Sequence, residues 1–146
     1  MSRSGYVEDG DYALANLWPS IVDRTIKGKR GQSFLRELAK VLDEMPEKKL
    51  IADELITETG EVCAIGAVCK ARGLDTSKVD IYDRYEVGKL VGIAPTLAAE
   101  IEYQNDDDFS CRRSVTPEER WVRMRKWVED NLTDPQRKSG ANETNR

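Results

Sequence analysis

Residues 50–68 read LIADELITETGEVCAIGAV, and this stretch decides the fold class. Two short apolar runs, Leu50–Ile56 and Glu61–Val68, flank Thr57-Glu58-Thr59-Gly60. A glycine-bearing turn between such runs predicts a β-hairpin. The second run and its continuation also carry Ala64, Ala67, Lys70 and Ala71, which favour helix. The expectation is two short strands, Leu50–Leu55 and Glu61–Cys63, followed by a helix from about Ala64 to Arg72 closed by Gly73.

Outward from this stretch every apolar run has helical spacing. On the N-terminal side, Phe34, Leu35, Leu38, Val41, Leu42 and Met45 form one stripe within Gly31–Met45, with Arg36, Glu37, Lys40, Asp43 and Glu44 opposite, and Pro46 ends it. Tyr12, Leu14, Leu17, Trp18, Ile21, Val22 and Ile26 trace an earlier helical face. Pro19 interrupts it, so the helix either begins at Pro19 or is kinked there; a start near Trp18–Pro19 is favoured, with Gly28 as a left-handed cap at the other end. On the C-terminal side, Asp83–Leu90 predicts a short helix using Tyr82, Val87, Leu90 and Val91 as apolar positions and Gly92 as its stop. Pro95–Gln104 predicts another, and Asn105–Ser114 reads as a loop. Thr116-Pro117-Glu118-Glu119 has the form of a capping box, opening a last helix with Trp121, Met124, Val128 and Leu132 at steps of three and four. The core is expected to contain Phe34, Leu35, Leu38, Leu42, Trp121, Met124 and Val128.

The fold class expected is therefore α+β and α-dominated: five or six helices with one small β-hairpin in a single domain. Residues 11–132 form the globular part, after a flexible N-terminus at 1–10 and before a polar tail at 133–146 read as disordered. A chain of 146 residues can bury enough surface to fold without a metal or disulfide.

Composition narrows function mainly by exclusion. The chain has no histidine, which removes Ser/His/Asp and Cys/His nucleophilic catalysis and nearly all His-ligated metal sites. Three cysteines, Cys63, Cys69 and Cys111, form no C-x-x-C and read as buried free thiols in a reducing compartment. A net charge of −4 is not that of a dedicated nucleic-acid binder. The apolar runs are too short to span a bilayer, and Met1–Gly10 is neither a signal nor a transit peptide, so a cytoplasmic protein is expected.

Three stretches taken together resemble a family. They are Gly28-Lys29-Arg30-Gly31-Gln32 with Phe34-Leu35-Arg36-Glu37-Leu38, Glu47–Leu55 running into Gly60-Glu61-Val62-Cys63-Ala64-Ile65-Gly66, and Thr116-Pro117-Glu118-Glu119-Arg120-Trp121. They resemble small proteins of unassigned activity carried by bacteriophages and prophages, over most of residues 18–130. The resemblance implies a phage accessory protein in a bacterial host cytoplasm that binds host or phage macromolecules. It brings no functional residue with it.

The candidate site is the turn holding Lys27, Lys29, Arg30 and Gly31, within a basic cluster that also includes Arg24, Arg36 and Lys40. Glycines free the backbone there, and a helix start with two cations suits a phosphate, a carboxylate or a partner protein. The plainer reading is a solvated glycine-punctuated turn, and the G-x-x-x-x-G-K-[ST] pattern is missing. Glu100, Glu102, Asp106, Asp107 and Asp108 lack calcium-loop spacing and read as a solvated loop or a negative protein-binding patch. Arg112, Arg113, Arg120, Arg123, Arg125 and Lys126 resemble a nucleic-acid helix, but Glu118, Glu119, Glu129 and Asp130 interleave and the window Thr116–Leu132 nets zero, so surface i,i+4 pairing is expected. Tyr82, Tyr85, Tyr103 and Trp127 are candidate interface anchors.

The expectation is a non-catalytic module with a protein partner (host, phage or itself), binding no metal or cofactor and inserting in no membrane. Modulation of a host process such as defence is what the resemblance implies. The alternative is a nucleic-acid-associated protein with weak binding at the Lys27–Arg30 turn, and the third reading is a carboxylate- or Cys-based enzyme.

Overall fold

Packing an apolar stripe against neighbours, rather than propensity alone, is what holds short helices in water. The computed structural model describes residues 12–106 and 115–133, with side chains from Trp18 onward. The expectations for residues 1–11, for the 107–114 part of the loop with Cys111, Arg112 and Arg113, and for residues 134–146 lie outside the described residues.

Six helices occur among the described residues: α1 Tyr12–Lys27, α2 Lys29–Glu44, α3 Ala64–Arg72, α4 Arg84–Val91, α5 Pro95–Asp106 and α6 Pro117–Asn131. Helices α2 and α5 are the two hubs. Each of α1, α3 and α6 packs against both, and α4 lies on α5 and α3. The core between them is Leu35, Leu38 and Leu42 of α2, Val68 of α3, Leu97 and Ile101 of α5, Met124 and Val128 of α6, and Leu50 from the connecting segment. Six of the seven expected core residues are buried, and Trp121 packs against the core while half-buried.

The described residues are all-helical, and the expected hairpin is not a sheet. Its turn does form: Gly60 takes φ 89°, its N–H donates to the Thr57 carbonyl at 3.0 Å, and Thr57 N–H donates to Glu61 O at 2.9 Å. Pairing then stops at one isolated antiparallel bridge, Ile56 with Val62, and no strand or sheet exists among the described residues. Two local events prevent a ladder. Asp53 sits at φ 69°, a left-handed conformation that turns the first arm out of the extended region. In the second arm, Cys63 is already the N-cap of α3, its Sγ accepting from Gly66 N–H at 3.3 Å. Gly66 fixes the approach, because a Cβ there would overlap the Leu55 carbonyl and lie 3.2 Å from the Leu55 Cα.

Other boundaries differ from expectation for similar tertiary reasons. Helix α1 runs through Pro19 instead of starting there. Trp18, Val22 and Ile26 are buried at i, i+4 and i+8, while Pro19 is exposed, so the carbonyl it frees can be solvated. Gly28 is not a left-handed cap: at φ −67°, ψ 162° it is the extended N-cap of α2 and the one residue separating the two helices. Helix α5 continues to Asp106, taking in Asn105 from the expected loop, and Glu100 within it is fully buried. Tyr82 is 67% exposed and serves no core face. Helices α3 and α6 begin where the sequence placed them, α6 with Thr116 Oγ1 accepting from Glu119 N–H at 3.1 Å.

Candidate functional site

The sequence candidate sits where α1 hands over to α2. Lys27, Lys29 and Arg30 are exposed at this corner, and Lys27 pairs with Asp23 at 3.0 Å. Gly31 faces inward: it is buried, and a Cβ on it would overlap the Thr25 carbonyl and lie 2.9 Å from the Ile26 oxygen. Its lack of a side chain therefore allows α1 and α2 to touch. Next to it the buried Gln32 amide donates to Ile26 O at 2.7 Å and Asn131 O at 3.0 Å and accepts from Thr133 N–H at 2.8 Å. This corner thus gathers the C-terminal carbonyls of α1 and α6, whose partial negative charge opposes an anion.

The basic face of α6 is committed to holding the fold. Arg120 donates to Asn105 O at 2.9 Å and Leu50 O at 3.2 Å, and Arg123 donates to Gln104 O and Asn105 O. Arg125 bonds Asp43 of α2 through two nitrogens, at 2.8 and 3.0 Å, and holds that carboxyl below its ordinary value. Lys126–Asp130 and Arg125–Glu129 are i,i+4 pairs, so surface pairing and inter-helix bonding both engage this face. Asn105 joins the same network, its amide donating to Ile51 O at 2.9 Å and its oxygen accepting from Ala64 N–H at 3.0 Å.

Nucleophile chemistry is muted. Cys63 and Cys69 are free and buried, and burial pushes their thiols up to about 12 and about 11, so both stay protonated near neutrality. The acidic run is split, with Glu100 in the core and Glu102 and Asp106 half-buried on α5. Tyr82 and Tyr85 are exposed, with Arg84 over the Tyr85 ring at 5.4 Å and over Trp18 at 5.6 Å. Asp53 first, with Asp106 and Glu102, raises the Tyr82 phenol above its ordinary value, a surrounding hostile to phosphate.

At the opposite end of α2 lies an open groove of about 810 Å³. Val41 of α2 and its C-cap Met45, Ile51 and Val62 of the connecting segment, and Ala67 and Ala71 of α3 line its apolar floor. The alanines, four residues apart on one helix face, keep α3 thin there and leave the trough unfilled. Glu44, Glu47 and Glu61 stand at the rim with Lys49 and Lys70. Its walls are pinned. Lys48 donates to Leu42 O and Asp43 O at the end of α2 and to the C-cap Met45 O at 2.7 Å, and lies 5.5 Å over the Trp121 ring. Trp121 Nε1 also donates to Leu42 O at 3.2 Å. Leu50 N–H donates to Pro117 O and Ile51 N–H to Val62 O, while Lys70 donates to Gly60 O at 3.0 Å. Sequence reasoning missed this groove. Its signals were the Ala67/Ala71 pair and a Met45 at the open end of an apolar stripe, meaningful only once α2, α3 and residues 46–62 meet.

Comparison of the chain with protein-family models, with curated proteins and with solved structures gives no match.

Proposed function

We propose that this chain is a non-catalytic protein-interaction module that holds a partner segment in the groove between α2, α3 and residues 46–62. The observation that carries this reading is a pinned, unfilled trough with an apolar floor, of a size within the ~300–1,000 Å³ usual for binding sites. Pre-formed walls lower the ordering cost of association, and Met45 supplies an adaptable contact. Against an enzymatic role stand the buried, protonated thiols and the lack of histidine. Against nucleic acid stands the engagement of Arg120, Arg123 and Arg125 inside the fold. A phage or prophage accessory role in a bacterial cytoplasm, acting on a host process such as defence, is the setting we infer from the sequence resemblance alone. No helix among the described residues is long and apolar enough to cross a membrane.

Affinity capture from bacterial lysate tests the reading. The groove-filling Ala71→Trp changes an exposed residue and is expected to lose a partner that the unaltered chain retains, at an unchanged thermal midpoint. Capture that survives Ala71→Trp but disappears in Lys29→Glu/Arg30→Glu would contradict it.

A further inference from the structure

We propose that the occupant of the groove is an amphipathic helix of a partner protein, apolar on one face and carrying Lys or Arg on its flanks. The inference rests on the reading of the groove as the partner site and adds the chemistry of what fills it.

The backbone of the walls argues for a helix. An extended peptide would need free N–H and C=O groups to pair with, as in strand addition to a sheet edge. Around this groove the backbone groups of Ile51, Gly60 and Glu61 are already used on both sides. Lys49 N–H donates to Glu47 O, Ile51 N–H to Val62 O, Thr57 N–H to Glu61 O, and Gly60 N–H to Thr57 O. Glu61 N–H donates to Thr57 Oγ1, Gly60 O accepts from Lys70, and Ile51 O accepts from Asn105. The other two walls are helices α2 and α3, whose backbone bonds are internal. No continuous row of unpaired groups is offered to an extended chain, and a helix satisfies its own backbone. Its apolar anchors at i, i+3 or i+4, and i+7 would meet Val41, Met45 and Ile51 on one side and the small Ala67 and Ala71 on the other.

Charge selects the flanks. Glu44, Glu47 and Glu61 reach the rim from α2, from the segment after it and from the turn. Of the two rim cations, Lys70 is bound to the Gly60 carbonyl, and Lys49 faces Glu118 at 3.7 Å. Lys40 in turn faces Glu44 at 4.0 Å, which leaves Glu47 and Glu61 to present carboxylates to an incoming chain, and a basic flank complements them.

The test is anisotropy of a labelled helical peptide of about 14 residues, leucines on one face and lysines on the rest. Two controls accompany it: the same peptide with glutamate for every lysine, and a scrambled Leu/Lys peptide of equal charge that cannot segregate its faces. The expected result is binding of the basic amphipathic peptide at least about tenfold tighter than either control. Ala71→Trp is expected to abolish that binding, and Glu47→Lys with Glu61→Lys to shift preference toward the glutamate peptide. Melting followed by circular dichroism checks that each variant is folded. Equal binding of the glutamate peptide, still blocked by Ala71→Trp, overturns the basic occupant and leaves the groove reading standing. Binding of the basic peptide that ignores Ala71→Trp overturns both. A dimer of this chain that Ala71→Trp dissociates makes a second copy the occupant and overturns the proposal, as does failure of the basic peptide to bind.

Discussion

At its first turn α2 meets the end of α1 so closely that Gly31 has no room for a side chain, and the Gln32 amide ties α1, α2 and the end of α6 together. At its last turn the same helix turns Val41 and Met45 onto open space that the alanines of α3 do not fill. Both ends carry exposed charge. They differ in the size of the facing residues and in whether backbone atoms touch. Glycine and a buried amide close one end, and alanine four residues apart opens the other. A small residue on a helix face therefore marks either a close backbone contact, as at Gly31, or a surface left unfilled, as at Ala71.

The sharpest way to break this contrast is to add one heavy atom at each end. Gly31→Ala forces a Cβ into the Thr25 and Ile26 carbonyls, neither of which can rotate away, and is expected to cost about 3 kcal/mol or more in denaturant unfolding. Ala71→Ser at the open end is expected to change stability by less than about 0.5 kcal/mol. A mild effect of Gly31→Ala would mean that the corner is not closed.

Next in size is Gln32→Leu, which keeps the volume but leaves Ile26 O, Asn131 O and Thr133 N–H without their partner. A loss of about 1–3 kcal/mol is expected, read as a lower midpoint in urea at unchanged slope.

Acid titration has a smaller effect. Arg72 bonds Glu37, with one contact at 2.8 Å, and Arg125 bonds Asp43, and these hydrogen bonds hold both carboxyls below their ordinary values. A folded-state value below the unfolded one means that the stabilisation is present above the unfolded pKa of about 4 and is lost as pH falls through the folded value. Both pairs are partly exposed, so about 1 kcal/mol or less is at stake. The double variant Glu37→Gln/Asp43→Asn is expected to flatten the fall of the thermal midpoint below about pH 4.

Smallest of all is Lys29→Glu with Arg30→Glu, two exposed side chains at the closed end, expected to move stability by less than about 0.5 kcal/mol. A large loss would show the corner to depend on these charges.

Helices with a cap and a sustained stripe were legible in the sequence: Phe34 to Leu42 placed α2, and Thr116-Pro117 placed the start of α6. The hairpin was not, because its fate depended on Asp53 adopting φ 69° and on Cys63 capping α3, neither of which alternation or propensity reports. The bonds from Arg120 to Leu50 span 70 residues, and nothing local distinguishes such an arginine from a solvated one. The groove is a product of the same long-range arrangement. Its alanines read as ordinary helix formers until Val41, Met45 and Ile51 stand opposite them.

The most direct test is residue-by-residue chemical-shift mapping of the isotope-labelled chain titrated with the leucine–lysine helix. The account predicts shifts concentrated on Val41, Met45, Ile51, Val62, Ala67 and Ala71, with Lys29 to Gln32 unmoved. Shifts centred on residues 27–31, or on Tyr82 and Tyr85, with the groove silent, would contradict it.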